Sequence, residues 1–248
     1  MQEKDKVKKK RKRKKKRYLL KFFILLILAA SLYFFFSSSM FDIQKITVEN
    51  NNHYTKEQLI SLAGVRTGEN LFKASLSQMK ENLLADPYVK NVKLRKRLPA
   101  EVVISVQERS EDAAVPYGNK YILIDSEGMV LRISDIEPAV TLITGTIVTN
   151  MEPGTPLKVE QNALLNDILK LIQKVKEHEL YFKKIETSNL IIKAYIYDQL
   201  ICEGTPENIM DNLGSLKEVL YDLYKKGIER GVIRMGSDEY FSFSPLVE

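Results

Sequence analysis

Residues 68–109 read GENLFKASLSQMKENLLADPYVKNVKLRKRLPAEVVISVQER, and the hydrophobic period changes within them from that of a helix to that of strands. Ser75 followed by Gln78 is a capping-box pattern. Leu76, Met79, Leu83 and Leu84 then fall on one helical face. Pro87 stops the helix, because the residue before a proline is pushed out of the α region. Beyond it the apolar residues alternate, at Val92 and Leu94 in a strand from Tyr88 to Arg95, and at Val102, Ile104 and Val106 in a strand from Val102 to Gln107. Leu98-Pro99-Ala100-Glu101 turns between them. Upstream, Phe41 to Val48 is apolar at Ile43, Ile46 and Val48 and predicts a first strand, and Asn50-Asn51-Asn52 is a turn cluster. Thr55 with Gln58 repeats the capping box, opening a short helix with Leu59, Ile60 and Leu62 that closes at Gly64. The predicted order over residues 41–110 is β-α-α-β-β, a small α+β domain.

On the N-terminal side, Phe22 to Phe41 is a run of 20 residues without a charge. As a helix it would span about 30 Å, the thickness of a bilayer core. A cleaved secretory signal with Ala29-Ala30-Ser31 as its processing site is the competing reading. The apolar run continues through Leu32 to Phe36, which is long for a signal core. Before it, Met1 to Arg17 holds twelve basic residues against Glu3 and Asp5, while the remainder of the chain is slightly acidic. The net charge of +6 therefore describes a tail and not a basic protein, which argues against nucleic-acid binding by the main body. Positive charge on one flank predicts a cytoplasmic tail (1–17), a transmembrane helix (18–40) and an exported body, with the tail touching anionic lipid.

On the C-terminal side, the acidic, proline-containing segment Glu111 to Pro116 marks a domain boundary. Tyr121 to Ile124 and Met129 to Ile133 flank Asp125-Ser126-Glu127-Gly128, a hairpin signal. A strand at Thr141 to Ile143, a helix from about Gln161 to His178 and strands at Lys184 to Thr187, Leu190 to Tyr197 and Leu200 to Glu203 follow. Thr205-Pro206 opens a helix that closes at Gly227. Two strands, Val232 to Met235 and Tyr240 to Phe243, end the chain. Residues 111–248 thus predict a larger mixed β-sheet domain with two helices, and the whole chain an α+β fold.

Catalytic signatures are missing from the sequence. His53 and His178 lie in different domains, and Cys202 sits on a predicted strand as a small apolar residue. One cysteine can form no internal disulfide. No GxSxG, HExxH, phosphate loop or CxxC occurs. Asp125, Glu127 and Glu137 are acidic neighbours with no evident partner base. The tyrosines Tyr181, Tyr195, Tyr197, Tyr221, Tyr224 and Tyr240 read as sheet and helix faces before they read as a ligand box. The expectation is a non-enzyme with no cofactor, no metal and no small-molecule substrate.

Collinear elements across this chain resemble the FtsQ/DivIB family of bacterial division proteins. They are Ile46-Thr47-Val48-Glu49-Asn50, Gly68-Glu69-Asn70-Leu71-Phe72, Asp86-Pro87-Tyr88-Val89, Leu98-Pro99, Val106-Gln107-Glu108-Arg109, Leu123 to Val130, and Gly231-Val232-Ile233 after Lys226-Gly227. The family often carries an acidic residue where this chain has Arg234. The resemblance implies that 41–110 is a POTRA domain. It also implies a non-enzymatic divisome scaffold in the cytoplasmic membrane at the septum, binding single-pass partners of the FtsL and DivIC/FtsB kind. The partner would dock on the C-terminal strand region, for which the expected residues are Arg234, Met235, Tyr240, Phe241 and Phe243, with Tyr224 on the preceding helix. Three other readings remain: a POTRA-type polypeptide-binding or chaperone receptor, a wall hydrolase or protease, and a DNA tether acting through the basic tail.

Overall fold

A computed structural model describes residues 2–188, 190–236 and 241–245, with side chains from Tyr18 onward. Helix α1 runs Gln2–Phe36. Its segment Tyr18–Phe36 is the one described helix long and apolar enough to cross a membrane, and none of that segment is buried in the protein. The helix therefore ends at Phe36, four residues short of the expected end at 40. Ser39–Phe41 forms a short 3₁₀ turn instead, and Phe41 is buried.

The first compact unit comprises residues up to Leu83 together with Val92–Val106. Its elements are β1 (Lys45–Glu49), α2 (Lys56–Ala63), α3 (Leu76–Leu84), β2 (Val89–Arg97) and β3 (Glu101–Glu108). Strand β3 is central in a three-stranded sheet ordered β1-β3-β2. Strands β1 and β3 run parallel, with Lys45 facing Glu101 and Val48 facing Ile104. The capping box at Thr55 is complete: the Thr55 hydroxyl accepts the Gln58 N–H at 3.3 Å, and the Gln58 side chain accepts the Thr55 N–H at 2.8 Å. Gly64 ends α2 at φ +69°, where a Cβ would also crowd the Asn82 side chain. Met79, Leu83, Val92, Ile104 and Val106 are buried. Leu84, which the helical period places on the same face, is exposed.

Within this unit the end of α1 is packed on the globular part. Phe36 meets Phe72 at 4.8 Å between ring centroids, Phe72 meets Phe41 at 5.1 Å, and Phe35 meets Phe41 at 5.3 Å, all edge-on. The Asn70 side-chain amide donates to the Phe36 carbonyl at 3.0 Å. It thereby satisfies one of the carbonyls that a helix C-terminus leaves without an intrahelical partner.

The second unit comprises Leu84–Asn91 and Gln107–Glu248. Its strands are β4 (Ala113–Tyr117), β5 (Lys120–Ile124), β6 (Val130–Ser134), β7 (Thr141–Thr144), β8 (Val148–Asn150), β9 (Lys158–Val159), β10 (Lys184–Ser188), β11 (Ile191–Tyr195), β12 (Gln199–Gly204), β13 (Arg230–Met235) and β14 (Phe241–Ser244). Its helices are α4 (Asn162–Glu177), α5 (Pro206–Asp211) and α6 (Leu213–Lys225). Nine of the strands form one mixed sheet in the order β14-β13-β12-β11-β10-β7-β4-β5-β6, and β8 pairs with β9. α4 supplies the crossover between the parallel neighbours β7 and β10, and α5 with α6 that between β12 and β13. Leu165, Ile168, Leu171, Ile172 and Val175 of α4 join Ile122, Ile143, Ile185, Ile192 and Ile233 of the sheet in one core.

Two features depart from the sequence reading. The single helix expected after Thr205 is broken at Asn212, whose side chain donates to the Asn208 carbonyl at 2.8 Å. The segment read as a boundary contains β4, a strand inside the sheet between β7 and β5.

Candidate partner-binding edge

Strand β14 ends the nine-stranded sheet, and no described strand pairs with its outer side. On its inner side it runs antiparallel to β13, with Val232 facing Ser244, Ile233 facing Phe243, Arg234 facing Ser242 and Met235 facing Phe241. The opposite end of the sheet, β6, is partly capped. The Val130 N–H donates to the Thr155 carbonyl at 3.0 Å, and the Gly154 N–H donates to the Val130 carbonyl at 2.8 Å. Among the described residues, then, β14 has no strand on its outer side, and the outward main-chain bonds of β6 are those at Val130.

Four of the six expected docking residues are brought together on β13 and β14: Arg234, Met235, Phe241 and Phe243. Arg234 projects outward, its Nη1 donating to Ser244 Oγ at 3.2 Å and its Nε lying 3.4 Å from Glu203 Oε2. Phe241 is exposed. Met235 is buried, so its side chain belongs to the core and only its main chain borders the edge. Phe243 is half-buried and packs on the core over Gly231, the reverse of the outward role expected for it. Tyr224 stands on α6 with 73% of its surface exposed, one turn from Tyr221, over which the Lys225 ammonium lies at 4.2 Å. Tyr240 lies outside the described residues.

The acidic turn Asp125–Glu127 is not without cationic partners, as the sequence had implied. The Arg109 guanidinium contacts Asp125 Oδ2 and lies 2.9 Å from Glu127 Oε2, and Lys90 Nζ lies 2.8 Å from Glu127 Oε1. Asp125 is buried, and its other oxygen accepts the Glu127 N–H at 2.9 Å and the Met129 N–H at 2.8 Å. Beside it, Arg132 Nε donates to Glu111 Oε1 at 2.7 Å, and the Tyr88 hydroxyl donates to the same oxygen at 2.6 Å. Burial, then the Glu111 carboxylate, raises the Tyr88 phenol well above its usual range, which keeps it a neutral donor. Asp112 accepts the Ser126 N–H at 2.9 Å and is contacted by Lys176. Every group in this web faces an opposite charge or a donor, so it braces the hairpin of the second unit and leaves no base free to activate a nucleophile. Sequence reasoning quoted Arg109 and Asp125 as motif residues but missed Lys90, Glu111 and Arg132 as their neighbours.

The remaining reactive side chains are equally constrained. Cys202 is fully buried, and burial pushes its thiol up to about 12. His178 caps the C-terminus of α4, and His53 stacks edge-on against Tyr54 at 4.6 Å. Among the described residues no three His, Cys, Asp or Glu side chains converge as a metal site would require.

Fold and motif together define a class: a POTRA-bearing α+β protein with one apolar N-terminal helix. Residues 41–109 match the family described as "POTRA domain, FtsQ-type". The chain is 29% identical to the cell division protein DivIB of Clostridium acetobutylicum over 185 residues, 73% of this chain and 74% of that one. It is 25% identical to DivIB of Clostridium tetani over 214 residues, 84% and 79% of the two chains. The cell division protein FtsQ of Syntrophotalea carbinolica is 30% identical over 92 residues, 37% of this chain and 32% of that one. The solved major extracytoplasmic domain of DivIB from Geobacillus stearothermophilus aligns with 48% of this chain and 97% of its own at 12% identity, with a TM-score of 0.31. The chain is thus similar over most of its length to DivIB cell-division proteins and over a shorter stretch to FtsQ, and the relatives' names support a role in the divisome.

Proposed function

We propose that the protein is a non-catalytic divisome scaffold. It is anchored in the cytoplasmic membrane by Tyr18–Phe36, with its basic tail in the cytoplasm on anionic lipid and its two folded units outside. At the septum it holds single-pass partners of the FtsL and DivIC/FtsB kind. The observation that carries the docking site is the outer edge of β14, on which no described strand pairs, at the end of a sheet whose other edge is partly capped. An uncovered strand presents a row of N–H and C=O groups, and an extended partner segment can add to it by main-chain bonds. Arg234 and Phe241 are outward side chains of the types that anchor interfaces. The neutralised acids and the buried thiol support the non-catalytic reading. The bare edge on the second unit favours division partners over a receptor whose POTRA unit alone would take extended chains.

Capture of co-expressed partners by the full chain in detergent tests this directly. Arg234→Glu and Phe241→Lys should each lower capture at least tenfold, the equivalent of about 1.4 kcal/mol, while circular dichroism stays that of the parent. Undiminished capture by both folded variants would move the docking surface elsewhere. Retention of unfolded export substrates in place of division proteins would favour the receptor reading.

A further inference from the structure

The end of the first unit beside α1 carries apolar side chains that the protein itself leaves uncovered. Met40 is 56% exposed, Phe72 42% and Leu98 64%. Met40 lies in the 3₁₀ turn directly after α1, and Phe72 touches Phe36. Leu98 is in the β2–β3 turn, and main-chain bonds hold that turn beside the same stretch of chain. The Gln44 and Lys45 N–H groups both donate to the Ala100 carbonyl, at 2.9 and 3.2 Å. Lys73 follows Phe72, Arg97 precedes Leu98 and Lys45 is bonded to the same turn; all three are exposed, and Lys96 beside Arg97 is half-buried. Of the neighbouring acids, Glu101 is already engaged by Lys45 at 3.3 Å and Arg97 at 3.1 Å, and Asp42 and Glu69 are the others.

We propose that this end of the POTRA unit is itself a lipid-binding surface, which seats Met40, Phe72 and Leu98 in the headgroup layer of the outer leaflet and sets Lys45, Lys73 and Arg97 against anionic phospholipid. The inference rests on the reading of α1 as a membrane anchor. Its length argument is short. Tyr18–Phe36 has 19 residues, and at about 1.5 Å each they use up the roughly 30 Å hydrocarbon core, which puts Phe36 at the far boundary. The headgroup layer beyond is about 5–7 Å thick on each side. Phe72, whose ring centroid is 4.8 Å from that of Phe36, therefore falls within it. The Asn70 bond to the Phe36 carbonyl and the Phe35–Phe36–Phe41–Phe72 cluster remove the slack that would let the unit stand away from the bilayer. Aromatic and long apolar side chains with cationic neighbours are the composition such an interface favours.

The chain contains no tryptophan, so a single introduced one reports its own surroundings. Full chain carrying Leu98→Trp, Met40→Trp, Leu28→Trp or Lys56→Trp is reconstituted in phosphatidylcholine–phosphatidylglycerol vesicles with brominated acyl chains. Leu28 lies in the middle of the apolar helix, and Lys56 begins α2, beyond the other end of β1. Leu98→Trp and Met40→Trp should be quenched several-fold more than Lys56→Trp and less than Leu28→Trp. Adding Arg97→Glu should weaken the quenching of Leu98→Trp. Strong quenching of Leu28→Trp with Leu98→Trp and Met40→Trp at the level of Lys56→Trp would overturn the inference and leave the anchor intact. An unquenched Leu28→Trp would sink the anchor reading and this inference with it.

Discussion

Glu127 illustrates how a surface carboxylate becomes structural. Hydrogen bonds from Lys90, then from Arg109, hold its pKa below the usual 4.5, against the opposing effect of burial. A carboxylate whose folded pKa is depressed contributes stability that is fully present above the unfolded pKa and is lost as pH falls through the folded value. About half of the Glu127 side chain is exposed, so the contribution is modest, below about 1 kcal/mol at ordinary salt. Glu127→Gln should therefore lower the thermal midpoint of the detergent-solubilised chain slightly at pH 7, and the gap to the parent should shrink as pH falls below the usual carboxylate range. A gap that persists in acid would mean that shape, not charge, is what Glu127 supplies. The web around it shows what a sequence conceals at this scale. Asp125 and Arg109 stand in recognisable motifs, but Tyr88 and Arg132, which hydrogen-bond at 3.1 Å, are 44 positions apart. Nothing local in either residue's neighbourhood announces the other.

Helices and strands were legible where a local signal decides them. The Thr55–Gln58 box, the Gly64 and Gly227 stops and the Thr205-Pro206 start all have their partners within a few residues. β4 escaped because Ala113, Ala114 and Val115 are buried on both faces, so no alternation marks them, and Pro116 reads as a breaker. The break at Asn212 escaped because the apolar period of α5 continues into α6. The membrane helix was expected to run to 40 because Ser37 to Met40 carry no charge, although they leave the helix after Phe36. The terminal strand rests on a different kind of detail. A Cβ at Gly231 would meet the Phe243 ring and lie 2.9 Å from the Ser244 carbonyl oxygen, and φ there is +150°. Gly231→Ala should push β14 off β13 while leaving β11 and β12 in place. Hydrogen exchange by mass spectrometry should then show lost protection confined to 241–244, together with lost partner capture. Lost protection with undiminished capture would separate docking from β14.

At the scale of the molecule, the strongest asymmetry is electrostatic. Twelve basic residues precede Tyr18, whereas the rest of the chain carries more acid than base. Moving such a tail across a membrane would mean desolvating many charges, and the loops that stay in the cytoplasm are those enriched in Lys and Arg. The body after Met40 meets no such barrier. Its apolar residues are gathered in the cores of two units. Tail inside and body outside, the orientation proposed above, would put β14 on the opposite side of the membrane from the tail. The expected outcome is sharp. A tag placed before Met1 should resist protease added to intact spheroplasts, and a tag after Glu248 should be removed. After lysis, both tags should be cut. Removal of the N-terminal tag alone from intact cells would invert the chain, and with it the side of the membrane on which β14 can find a partner.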